Sequence, residues 1–145
     1  MAGRRWQQAA MSERDRLVLD CLRLRGRPMT AYELIDDLRG EGISAPPTIY
    51  RVLARLTASG AVHRLQTLNA YMACAHETHA SVPVFAICES CRRVTEIADE
   101  SVQEQLGRLA GSAGFSIQRA AVEVLGRCAA CEPDQPREHP VSSRR

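Results

Sequence analysis

Between residues 12 and 60, apolar positions recur three times at three- and four-residue intervals, and each run ends at a glycine. In the first run Leu17, Val18, Cys21, Leu22 and Leu24 fall largely on one helical face, with Ser12 as N-cap and Gly26 as stop. Cys21 here reads as a core residue. The second run, "TAYELIDDLRG", opens on Thr30 with Glu33 three residues later, the reciprocal pattern of a capping box, and ends at Gly40. In the third, "SAPPTIYRVLARLTASG", Pro46 and Pro47 fit only a first helical turn. Ile49, Val52, Leu53 and Leu56 then follow at helical spacing up to Gly60. Next, "AVHRLQTLNAYMAC" reads as two short strands turning around Leu68 and Asn69. Three helices and a hairpin predict a winged helix, whose third helix enters the major groove of DNA.

From residue 82 the pattern changes again. "VPVFAIC" and "RRVTEI" read as strands flanking Cys88-Glu-Ser-Cys91. "DESVQEQLGRLAGSAG" reads as a helix capped by Asp99 with Val102, Leu106 and Leu109 inward, and "FSIQRAAVEVL" as a further strand. The expected fold class is α+β. An N-terminal winged-helix DNA-binding domain (1–74) is followed by a hinge or connector (75–81) and a small C-terminal α/β dimerisation domain with a structural zinc site (82–132). The Pro-rich, polar stretch 133–145, with His139, reads as a disordered, solvated tail. The apolar faces of the second unit are too small for an isolated core, which points to a metal staple and to self-association.

Charge sharpens the first unit. The chain has 145 residues and a net charge of +2, with 11 Arg against 7 acids in residues 1–70 and 8 against 10 in 71–145. Every cation is an arginine, a side chain suited to bidentate phosphate and base contacts, although a compositional bias of the genome gives the same count. The third run has no acid between Ala45 and Gly60 and presents Thr48, Tyr50, Arg51 and Arg55 on its polar side. A solvated face is the alternative, and the neighbouring hairpin favours double-stranded DNA. Arg51 is the candidate for a bidentate contact to guanine, Arg55 and Arg64 for phosphate contacts, and Tyr50 for a thymine methyl or a phosphate.

The start of the chain has no apolar run that would make a signal or a membrane anchor, so a cytoplasmic protein is expected. In that compartment Cys-x-x-Cys pairs more often bind metal or do redox chemistry than form structural disulfides. Cys88, Cys91, Cys128 and Cys131 make two knuckles, hence four thiolates around one structural Zn²⁺ with no open position for a substrate. Such a site contributes on the order of 10 kcal/mol to folding. His63, Cys74, His79 and Glu96 form a second set, with His76 competing for the place of His79. One thiolate and one carboxylate neutralise Zn²⁺, and a neutral site is easier to bury. Because His63 and Cys74 belong to the hairpin and Glu96 to the second unit, an ion bound by all of them would fix the orientation of the two units and could respond to metal supply.

"APPTIYRVLARLTASGAVHRL" followed by "YMAC", "CESC" and "CAAC" resembles the ferric uptake regulator family, and within it the zinc uptake regulators, over about residues 12 to 132. The resemblance implies a homodimer that represses zinc-acquisition genes when loaded with two zinc ions per subunit. It places the structural zinc on Cys88, Cys91, Cys128 and Cys131 and the regulatory zinc on His63, Cys74, His79 and Glu96, with Tyr50 and Arg51 on the recognition helix. Cys74 separates the zinc branch from its iron and manganese sensors. One departure is the spacing around His79, which is shorter before it and longer after it than in the zinc branch. An iron- or peroxide-responsive regulator, with Cys74 oxidised instead of metallated, is the nearest rival. An enzyme acting on an organic substrate fits poorly. "HETH" is one residue short of the metalloprotease helix motif, and neither Cys pair follows the proline of the zinc deaminases.

Overall fold

The computed structural model describes residues 11–75 and 82–132. Helix α1 spans Glu13–Arg25, α2 Ala31–Leu38 and α3 Pro46–Ala58, and a hairpin of β1 (Val62–Leu65) and β2 (Ala70–Ala73) follows. Both capping boxes are built. The Ser12 hydroxyl accepts from the Asp15 N–H while Asp15 accepts from the Ser12 N–H, and Thr30 and Glu33 repeat the exchange on α2. Gly26 closes α1 in the left-handed conformation at φ 60°. Pro46 and Pro47 open α3, where an N–H would have no helical acceptor.

Two details differ from the sequence expectation. Helix α2 stops at Leu38, and a 3-10 turn over Arg39–Glu41 carries the chain to Gly42 at φ 82°, so Gly42 rather than Gly40 makes the turn. Leu24 is 89% exposed, while Leu19 is buried. At about 100° per residue Leu24 lies nearly opposite the stripe of Val18, Leu19 and Leu22. The same arithmetic puts Asp15 in the middle of that stripe, and it is buried.

Arg55 answers that buried charge from α3. Its Nη2 lies 2.6 Å from Asp15 Oδ1 and its Nε 3.2 Å from the same oxygen. Burial pushes the Asp15 carboxyl up, but the hydrogen bonds from Arg55 and the contacts with Ser12 outweigh it and hold the group below its ordinary 3.8. One carboxylate thus caps α1 and pins α3 to it. Around the pair, side chains of α1, α2 and α3 pack with Met29, Ile43, Val62 and Tyr71 into one core. Backbone hydrogen bonds of 2.8 Å in both directions between Met29 and Tyr71 attach the α1–α2 connection to the hairpin edge.

The second sheet has the order β4-β3-β5, with β3 (Pro83–Cys88) in the centre, β4 (Val94–Ala98) antiparallel to it and β5 (Val122–Gly126) parallel. Helix α4 (Glu100–Ser112), capped by Asp99, makes the crossover between β4 and β5. Its inward face is only partly covered. Val102 and Leu106 are half-buried, Leu109 is 67% exposed, and no residue of α4 is fully buried. The strand expected over 115–125 shrinks to β5, because its partner β3 begins at Pro83 and pairs Val84 with Val122, which leaves the residues before Val122 beyond the end of the ladder. The best-buried side chains of this sheet, Phe85 and Ile87, pack on Leu65, Leu68 and Met72 of the hairpin, so the second core is shared between the two sheets. Among the described residues no helix is long and apolar enough to cross a membrane.

Asp15→Asn is expected to lower the free energy of unfolding by about 1 kcal/mol at neutral pH, since Arg55 is half-exposed and water screens the pair. The folded carboxyl ionises below 3.8, so its contribution is whole above that pH and disappears as pH falls through the folded value. Denaturant curves of both proteins across acid pH check this. A gap that persists far below pH 3.8 would contradict it.

Candidate metal centres and nucleic-acid interface

Strand β3 ends on Cys88, and a tight turn, with Arg92 at φ 60° and its N–H donating to the Cys88 carbonyl, brings Cys91 back beside it. Because β5 runs parallel to β3 with Gly126 opposite Cys88, the chain leaving β5 delivers Cys128 and Cys131 to the same place. The Cys128 N–H points at Cys88 Sγ from 3.4 Å. All four sulfurs lie within 4.8 Å of one another, and Cys91 Sγ and Cys128 Sγ are 3.7 Å apart. A tetrahedron with Zn–S bonds of about 2.3 Å has edges of roughly 3.8 Å, so this donor set fits zinc.

Electrostatics points the same way. Backbone contacts from Cys91 and Cys128 draw the Cys88 thiol down to about 6, while hydrogen bonding with Cys128, Cys91 and Cys88 pushes Cys131 up to about 12. Four such sulfurs cannot all ionise together unless a cation sits among them.

The second cluster spans the shared core. His63 comes from β1, Cys74 from the residue after β2, and Glu96 from β4, and one ligand atom of each lies within 4.8 Å of the others. The Cys74 N–H donates to the Ala61 carbonyl at 2.9 Å, which holds the end of the hairpin in register. His63 Nε2 is 3.7 Å from Glu96 Oε1, the His63 ring lies tilted over Phe85 with centroids 5.2 Å apart, and Glu96 Oε2 accepts the Ala75 N–H at 3.2 Å. Nitrogen, sulfur and oxygen donors from both sheets thus converge. His76 and His79, between which the sequence leaves the fourth ligand open, lie outside the described residues, as does His139.

The register adds a residue that sequence reasoning missed. Phe85 pairs with Glu96 on one side and with Glu123 on the other, so the three form one row across the sheet. Glu123 Oε1 accepts the Gln66 N–H at 2.5 Å and Oε2 the Thr67 N–H at 2.9 Å. Burial raises this carboxyl, and the contacts with Thr67 and Gln66 reverse that and leave it below its ordinary value. The only trace in the sequence is a single acid inside the apolar run "AVEVL".

On α3 the core side is set by Ile49, Val52, Leu53 and Leu56. At about 100° per residue, Tyr50 and Arg51 straddle the opposite direction, and both are exposed. Thr48 and Arg55 lie on one flank. Arg55 was expected as a phosphate contact, but its Nε and Nη2 face Asp15, so its first role is to hold α3. Arg64 projects from the hairpin, with Nη2 3.4 Å from Asn69 Oδ1. The arrangement is an exposed helix face with Arg51 near its centre, followed by a hairpin that presents Arg64.

The sequence profile of the ferric uptake regulator family matches residues 11–125. The chain belongs to that family. It is 35% identical over 127 residues to the zinc uptake regulation protein of Escherichia coli (strain K12), covering 85% of this chain and 73% of that protein. A solved structure of a zinc uptake regulator complexed with zinc and DNA superposes with a TM-score of 0.80 at 32% identity, covering 88% of this chain and 87% of that one. The crystal structure of holo XcZur superposes at 0.76 with 39% identity, over 84% and 86%. The family fold accordingly has the α+β composition expected from the sequence, with four helices and two small sheets among the described residues.

Proposed function

We propose that this ferric uptake regulator family member is a zinc-responsive transcriptional repressor. It acts in the cytoplasm as a zinc-loaded homodimer, binds palindromic operators of zinc-uptake genes, and has no enzymatic activity. The observation that carries the reading is the cluster of His63 and Cys74 from the hairpin with Glu96 from the second sheet. Similarity to the E. coli zinc uptake regulation protein and to a zinc uptake regulator complexed with zinc and DNA supports it.

Two zinc ions per subunit have different work. Cys88, Cys91, Cys128 and Cys131 would hold one permanently, tying the exit of β5 to that of β3. His63, Cys74, Glu96 and His79, with His76 as competitor for the last place, would hold the other. A bound zinc supplies one charge centre liganded from both units, which favours the docked arrangement. The Cys74 thiolate and Glu96 carboxylate balance its charge, and the soft sulfur selects against hard cations. The winged-helix unit 1–74 then reads DNA through Thr48, Tyr50 and Arg51, with Arg64 and the free edge of Arg55 on phosphates. Residues 75–81 act as connector, 82–132 as dimerisation unit and 133–145 as tail. Leu109, Phe115, Val124 and Leu125 stand exposed on the second unit, apolar area that association with a second copy of the chain would cover.

Metal analysis is expected to find two zinc ions per chain, one of which survives mild chelation. Cys74→Ser removes the thiolate of the second site, and the variant should remain a folded dimer with one zinc and lose zinc-dependent operator binding. A wild-type zinc response in that variant would remove Cys74 from the site. A wild-type protein that answers iron or peroxide and not zinc would move the reading to those signals. Cys128→Ser should instead cost folding or dimerisation, and a stable dimer lacking only the chelatable zinc would overturn the four-sulfur assignment. Arg51→Ala should reduce discrimination at one base pair by about 1–3 kcal/mol, whereas an equal loss on all DNA sequences would make Arg51 a phosphate contact.

A further inference from the structure

We propose that Glu123 is a positioning residue, a metal-independent latch that holds the tip of the wing against the second sheet and thereby sets how much zinc the sensor needs. The inference rests on the zinc-sensor reading above, and it deepens that reading with a residue outside the proposed ligand set.

The geometry has two parts. First, the turn joining β1 to β2 offers two adjacent backbone N–H groups, on Gln66 and Thr67, and Glu123 places one carboxylate oxygen on each. Exposed turn amides ordinarily bond to water. Here an anion from another element takes both, in charge-assisted bonds stronger than neutral ones. Second, the row Glu96, Phe85, Glu123 measures the wing. Two interstrand spacings separate the carboxylate-bearing strands by about 10 Å, and three residues of extended chain, His63 to Gln66, also span about 10 Å. Strand β1 therefore lies across the sheet. His63 meets Glu96 and Phe85 at one end, and Gln66 and Thr67 meet Glu123 at the other.

Beside the shared apolar core, two polar contacts described above tie the wing to the second sheet, one at each end of β1, and the one at Glu123 uses no proposed metal ligand. The apparent affinity of the second site for zinc scales with the fraction of molecules already docked, because undocked molecules must first bring Glu96 to His63 and Cys74. Glu123 raises that fraction before any ion arrives. Removing it should weaken zinc binding on the order of tenfold while leaving every proposed ligand in place.

The test uses the full-length dimer carrying its four-sulfur metal, as wild type, Glu123→Gln and Thr67→Pro. The last removes one of the two donors at a turn position where proline is tolerated, and it leaves β5 untouched. Zinc affinity of the second site is measured without DNA by competition with a chromophoric chelator. Amide hydrogen exchange is followed at Gln66 in all three proteins and at Thr67 where it retains an N–H. The expected result is a shift of the zinc midpoint to about tenfold higher free zinc in both variants. The combined protection of the Gln66 and Thr67 amides should fall in Glu123→Gln already in the zinc-depleted form, since the amide keeps only one neutral acceptor oxygen, and operator affinity should recover at saturating zinc. An unchanged midpoint together with unchanged amide protection would overturn the latch. If wild-type operator binding ignores zinc, the sensor reading fails instead, and amide protection still decides whether Glu123 holds the wing.

Discussion

A nitrogen from β1, a sulfur from the end of β2 and a carboxylate from β4 meet across the seam between the hairpin and the second sheet. The seam is also a core. Phe85 and Ile87 pack with Val94 of their own sheet and with Leu65, Leu68 and Met72 of the hairpin. Any change that separates the two sheets exposes this apolar surface and disperses the three donors at once. On the proposed function, metal occupancy and wing position are linked through this one interface, and a shift in either would shift the other.

The four-sulfur cluster obeys a different logic. Its knuckles lie at the ends of neighbouring parallel strands, and the register that pairs Gly126 with Cys88 brings the sulfurs together. Opposed displacements of the Cys88 and Cys131 thiols mark a group of sulfurs whose mutual repulsion a dication relieves. In the proposed reading that site is permanent because it closes one sheet on itself, and the other is conditional because it bridges the hairpin and the second sheet.

Much of this was legible in the sequence, for identifiable reasons. Ser12, Thr30, Glu33, Pro46 and Gly26 act over three or four residues, where local rules hold, and their helices begin or end where those residues place them. The Cys-x-x-Cys pairs were visible because thiols have narrow chemistry, and the structure brings them together; of the second set it brings His63, Cys74 and Glu96 together, while His79 and its competitor His76 lie outside the described residues. Long-range pairing was not visible. Asp15 with Arg55 and Glu123 with the wing turn are 40 and 56 or 57 residues apart, and nothing in a one-dimensional pattern joins them. Leu24 and Leu109 were misread because apolar residues were assigned to a buried helix face, whereas this chain leaves them exposed.

The central claim is that a removable ion across the seam holds the wing and the second sheet in the arrangement that fits DNA. Its most direct test is the operator affinity of protein stripped of that ion while retaining the four-sulfur metal, compared with the fully loaded form under the same salt. The account predicts tight, sequence-selective binding by the loaded protein and only weak, salt-sensitive binding by the stripped one. Equal affinity in the two forms would contradict it and leave a DNA-binding fold stapled by a single metal.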